Sequence, residues 1–207
     1  MIGGWLSAGG KMEQHAVQRC AWVTADPDYI AYHDGEWGRP LYDERALFEL
    51  LCLEGQQAGL SWLTVLKKRP HYRRVFHNFD PVRVAAMTPE ELELLMHDAG
   101  VIRNRRKLAA IITNARALLA MAQAGEVFSP FLWSFVAGAP VRSDVAGATR
   151  SAASDALARA LKQRGFTFVG TTICYAFMQA CGMVNDHQPG CYLHHDSSPS
   201  SPPGLSR

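Results

Sequence analysis

Leu47, Phe48, Leu50, Leu51 and Leu53 recur at spacings that keep one face of a helix apolar, and Leu63, Val65 and Leu66 resume the pattern downstream. Between them lies Glu54-Gly55-Gln56-Gln57-Ala58-Gly59-Leu60-Ser61-Trp62, a polar interruption in what its flanks mark as core. A carboxylate, two glutamines and two glycines closed by a tryptophan form the local inconsistency that functional sites leave in a sequence. A helix stop at Gly55 followed by a glycine turn is the plainer reading of the same letters. Further on, Thr88-Pro89-Glu90-Glu91 writes a capping box with proline at the first helical position, and the apolar run behind it stops at Gly100. The pattern then predicts helices from about Arg105 to Ala124, over 129–136, over 154–164 and over 170–182. Residues 22–42 carry aromatics and turn signals at Asp26-Pro27 and Gly38-Arg39-Pro40. No segment alternates with period two, so the expected class is all-α.

Composition adds boundaries. With 207 residues, 48% of them apolar, the chain suits one domain with a full core. Residues 1–18 read as a loose glycine-containing leader and 194–207 as a Ser/Pro-rich disordered tail, leaving a single domain over 19–193. Five cysteines, an odd number, argue against a disulfide scaffold and for a reducing compartment. With no signal core and no run of about 20 apolar residues, a cytoplasmic monomer away from membranes is expected. The net charge of +2 decides little. Its distribution says more: Lys67, Lys68, Arg69, Arg73, Arg74, Arg103, Arg105, Arg106 and Lys107 cluster in two segments, a candidate phosphate-contacting face against the plainer reading of solvated helix surface.

Three constellations carry candidate chemistry. His187 and Cys191 are spaced to reach one ion through a tight turn, and Cys20 with His33 could complete a closed tetrahedral site joining the two ends of the chain. His194 and His195 compete as ligands, Cys20 packing as a small apolar residue is the alternative, and His33-Asp34 could instead serve a catalytic zinc. Secondly, helix 89–98, the turn Ala99–Asn104 and the helix after it form a hairpin whose N–H groups could hold a DNA phosphate, or an ordinary helical hairpin. Thirdly, Trp22, Tyr29, Tyr32 and Trp62 could stack on a planar ligand, and Glu54 among them would select a cationic one, although aromatics are more often core.

The segments RCAWVTADPDYIAYHDGEWGRP (19–40), LCLEGQQAGLSWLTVLKKR (51–69), DAGVIRNRRK (98–107), WSFV (133–136) and GFTFVGTTICYAFMQACGMVNDH with Cys191 (165–191) resemble the DNA-3-methyladenine glycosylase I family of bacterial alkylation-repair enzymes. The resemblance implies an all-helical helix-hairpin-helix fold with the hairpin at 89–107. A central helical part would span 43–137, and a second, partly irregular part would be formed by 19–42 and 138–193 around a structural zinc on Cys20, His33, His187 and Cys191. It implies a monofunctional enzyme without organic cofactor or lyase activity that acts on double-stranded DNA containing alkylated bases. The methylated base would be flipped into a pocket of Glu54, Trp22, Tyr29, Tyr32 and Trp62. Gln56, Gln57, Gly59 and Leu60 would fill the vacated stack, and Gly100, Ile102, Arg103 and Arg105 would contact the DNA backbone. Methylation at N3 makes adenine a cation and a good leaving group, so Glu54 can act mainly by binding.

Ile102 stands where the wider superfamily has a second hairpin glycine, and the 138–150 loop is shorter than in relatives. No aspartate occurs between Gly100 and Asp144, where many superfamily members place one to activate water. That absence also suits a zinc-stabilised module that binds damaged DNA without catalysis.

Overall fold

A computed structural model describes residues 17–143 and 147–195. The expected leader up to residue 16 and the tail from 196 lie outside the described residues. Gln18 and His194, assigned by sequence to those segments, already belong to the folded part: the Tyr192 N–H donates to the Gln18 carbonyl at 3.0 Å, and the His194 N–H to that of Cys191 at 2.9 Å.

The chain runs through α1 (Pro27–Gly35), α2 (Glu44–Gln57), α3 (Trp62–Val75), α4 (Pro81–Ala85), α5 (Pro89–His97), α6 (Arg105–Gln123) and α7 (Phe128–Trp133). A short strand β1 (Val141–Arg142), α8 (Ala152–Gln163), α9 (Thr171–Ala180) and a second short strand β2 (Val184–Asn185) complete it. The fold is mostly helical. Among the described residues, the all-α expectation misses only the parallel pair β1–β2, which joins the residues after α7 to those after α9, with the Val141 N–H on the Met183 carbonyl at 2.9 Å.

Helix starts are fixed locally. Asp26, Asp43, Ser61, Asp80, Thr88, Asn104 and Ser151 each accept from a main-chain N–H of the first turn, and Pro27, Pro81 and Pro89 occupy first positions where no N–H is needed. The Thr88/Glu91 capping box forms as the sequence predicts. Two helices were not legible as such: α1, read as an aromatic segment with turns, and the five-residue α4.

The helix that organises the rest is α2. Every residue from Leu47 to Gln56 is buried, because α3, α6, α7 and α9 pack around it. It does not stop at Gly55 but continues to Gln57, and a Cβ at Gly55 would meet Phe168 only at the ordinary contact distance of 3.5 Å. Glu54 is thereby carried into the interior. No single helix among the described residues is long and apolar enough to cross a membrane.

Candidate functional site

A cleft of about 610 Å³ opens beside the C-terminal half of α2, lined among others by Trp22, Tyr29, Tyr32, Glu54 and Trp62. Residues separated by some 40 positions are thus gathered into one cleft. Tyr29 and Tyr32 come from α1, Glu54 from α2, and Trp62 opens α3. The rings of Trp22 and Tyr29 lie 5.0 Å apart and those of Tyr32 and Trp62 5.4 Å apart, both pairs tilted, leaving an aromatic wall rather than a closed stack.

Glu54 is 4% exposed, and its carboxylate has no hydrogen-bond partner among the described residues. Burial pushes its carboxyl up to about 8. Trp62 Nε1 is buried and equally without an acceptor. An acceptor-rich carboxylate and an indole donor left open in one aromatic cleft make a complement for a planar ligand carrying N–H groups and positive charge.

The sequence did not single out Trp37, Gln179 and Asp186, which also line the cleft. Gln179, a polar position in the apolar α9, was the available signal for one of them: it donates from Nε2 to Asp186 Oδ2 at 2.6 Å, and the Tyr175 hydroxyl donates to the same oxygen at 3.2 Å. Asp186 carries no signal beyond its place next to His187.

Beside the cleft the first and last described segments meet. The ligand atoms of Cys20, His33 and Cys191 lie within 4.8 Å of one another, all three residues buried. His33 Nδ1 sits 2.8 Å from Asp34 Oδ1, leaving Nε2 to face the thiols, 3.5 Å from Cys191 Sγ. This is the carboxylate-backed geometry that orients a metal-binding imidazole. Burial pushes the Cys20 thiol up to about 12, so its thiolate here calls for a cation beside it. A metal thus fits this donor set. His187 is the remaining predicted ligand. Its ring lies 5.2 Å from that of His33, and Asn185 Oδ1 lies 3.0 Å from its Nδ1, but its donor atom is not within the 4.8 Å group. Of the competing ligands, His194 has Nδ1 2.6 Å from the His187 carbonyl and pairs with Arg142, as does His195.

The expected DNA-facing residues divide. Gly59 and Leu60 are exposed at the tip of the turn after α2, Leu60 by 40%. Gly59 has φ +79°, a conformation only glycine adopts easily, and open space where a Cβ would lie, so the turn rather than packing requires it. Gln57 is half-buried and lines the cleft while donating to the Leu60 carbonyl at 2.7 Å. Gln56 departs from expectation: it is 1% exposed, and its amide is bonded internally to Lys107 and Tyr72, because the end of α2 turns that face inward.

The hairpin turn between α5 and α6 corrects another expectation. The Gly100 N–H donates to Asp98 Oδ1 at 2.7 Å and the Ile102 N–H to the Tyr72 hydroxyl at 2.9 Å, so neither amide points to an outside anion. Gly100 is there for close approach, a Cβ falling 2.4 Å from the His71 ring. Most of the predicted basic face is also engaged: Lys67 with Asp26, Arg69 and Arg73 with Glu49, Arg105 with Glu93, and Lys107 in the interior. Of the nine residues in the two segments, Arg103 alone has no protein partner among the described residues.

Residues 22–195 match the methyladenine glycosylase family model. The chain belongs to the methyladenine glycosylase family. It is 59% identical to DNA-3-methyladenine glycosylase 1 of Escherichia coli strain K12 over 187 residues, covering 88% of this chain and all of that one. Among solved structures, a crystal structure of 3-methyladenine DNA glycosylase I (TAG) superposes with TM-score 0.83 at 63% identity, over 86% of this chain and 100% of that one. The Staphylococcus aureus enzyme, solved to explain its recognition of 3-methyladenine, superposes with TM-score 0.78 at 40% identity, over 90% of this chain and 97% of that one. The family match thus spans the aromatic cleft together with His33 and Cys191 of the Cys/His cluster.

Proposed function

We propose that this chain is a DNA repair glycosylase that turns 3-methyladenine out of duplex DNA and hydrolyses its N-glycosidic bond, leaving an abasic site. The observation that carries this reading is Glu54, a carboxylate buried among aromatic rings with its oxygens open to the cleft. N3-methylated adenine in DNA is a cation whose exocyclic amine donates hydrogen bonds. Seated against the aromatic wall that Trp62 and its neighbours form, it would stack on an exposed ring face and place its charge against Glu54. Heterolysis returns the bonding electron pair to the base and neutralises it, while water adds at C1′ and releases a proton to solvent. A pre-activated leaving group makes strong acid catalysis unnecessary. No lyase step is expected, since Lys107, the hairpin-proximal amine, is held in the interior by two carbonyls.

We assign the α5–turn–α6 hairpin to the DNA backbone, with the guanidinium of Arg103 and the N-terminal amides of α6 as the available donors. Gly59 and Leu60 would enter the duplex. A structural zinc on Cys20, His33, His187 and Cys191 would cross-link residues 19–42 to 138–193 and supply stability rather than reactivity. Asp34, which a catalytic role would need free, is held by Arg19 through contacts of 2.6–3.0 Å. The five free, buried cysteines support a reducing, cytoplasmic setting.

The test is chromatographic detection of free 3-methyladenine released from methylated duplex DNA. Release supports the enzyme; tight binding to alkylated DNA without release would instead support a non-catalytic damage-binding module.

A further inference from the structure

The turn that would enter the duplex is fastened from behind by three buried side chains. Lys107, in the first turn of α6, donates from Nζ to the carbonyls of Gln56 and Ala58 at 2.8 and 2.6 Å. These lie at the C-terminal end of α2, where carbonyls lack helical partners and a cation complements the dipole. Gln56 returns the contact, donating from Nε2 to the Lys107 carbonyl at 2.9 Å. Its Oε1 accepts from the Tyr72 hydroxyl at 3.1 Å, and that hydroxyl oxygen accepts the Ile102 N–H at 2.9 Å. A continuous hydrogen-bonded path thus joins the turn after α2 to the hairpin turn. A buried ammonium is a poor way to stabilise a core, since desolvation opposes its charge, and burial lowers the Lys107 pKa accordingly. It is a good way to fix geometry, because each bond is directional and an apolar replacement would leave carbonyls unsatisfied.

We propose that Lys107, Gln56 and Tyr72 are positioning residues that set the height of the 57–60 turn relative to the hairpin, so that a duplex seated on the hairpin meets Gly59 and Leu60 at the depth of its base stack. The inference rests on the glycosylase reading above and assigns these residues no contact with the base. They act on extrusion rather than on base recognition.

The test compares the parent protein with Lys107→Met and Tyr72→Phe, measuring kcat/KM for release of 3-methyladenine from methylated duplex DNA, affinity for free 3-methyladenine by tryptophan fluorescence, and thermal unfolding. Lys107→Met is expected to lose about tenfold or more in kcat/KM on the duplex, the scale of a small misplacement, while free-base affinity stays within about twofold. Tyr72→Phe should show the same split with a smaller loss, and it decides the question should Lys107→Met fail to fold. Undiminished excision, or free-base affinity falling in parallel with excision, overturns the proposal. A parent protein that releases no methylated base overturns the glycosylase reading itself.

Discussion

Glu54 is the residue at which sequence, electrostatics and chemistry meet. Its folded-state pKa of about 8 lies above the ordinary 4.5, so the protonated form is the one the fold favours. The associated stability is fully present below about pH 4.5 and is lost as pH rises through about 8. Glu54→Gln removes that loss, and the variant should melt higher than the parent at pH 8–9, by a few kcal/mol at most, with the gap closing toward pH 5. Differential scanning calorimetry across that range checks it. Function should move the other way. The same variant keeps the shape but loses a charged acceptor, a change of roughly tenfold to a hundredfold in excision. Because the ionised carboxylate is the form that binds a cationic base, kcat/KM of the parent should climb toward pH about 8 and then level, and the variant should lack that limb. Aromatic positions were legible as candidates from composition alone. Trp37 was not singled out although it lines the same cleft, since its ring contact with Trp22 is made only by the fold.

At the scale of elements, the capping signals translated directly into helix starts because a cap is a contact between residues two or three apart. The hairpin did not translate so simply. Gly100 and Ile102 looked like phosphate donors, but Asp98 and Tyr72 take their amides, Tyr72 from 30 residues away in sequence. Arg103 is exposed and has no protein partner among the described residues. Arg103→Ala should therefore weaken binding to duplex DNA with little dependence on sequence and reduce the slope of log K against log salt by about 1, while free-base affinity is unchanged. Fluorescence anisotropy titrations over a range of salt concentrations measure this. A slope equal to the parent's would place the backbone contact elsewhere.

Across the whole molecule, the first and last described segments are brought together largely by short irregular stretches. Cys20 and Cys191 come from opposite ends, the N–H of Ala21 donates to Gln188 Oε1 at 2.6 Å, and β1 and β2 contribute two residues each. Cys191→Ser, or chelation of the parent, should remove about one zinc per chain and lower the melting temperature well before the α2–α6 core loses its helical circular dichroism. Metal analysis alongside thermal unfolding at 222 nm reports both. Zinc content of zero in the parent protein would leave Cys20 and Cys191 as buried thiols and sink the assignment.

What the sequence determined by itself was everything written in local code: the capped helix starts, the class of the fold, the polar interruption at Glu54–Trp62 and the inventory of ligand-type side chains. Tertiary structure alone decided which polar groups face inward. Gln56 and Gln57 are adjacent identical letters, yet one is locked beneath α6 and the other lines the cleft. Helical rotation separates their directions by about 100° per residue, and whether either direction meets solvent depends on what packs there. The same reason explains the basic residues, whose charge is written in the chain but whose partners, Glu49, Asp26 and the end of α2, are supplied only by the fold.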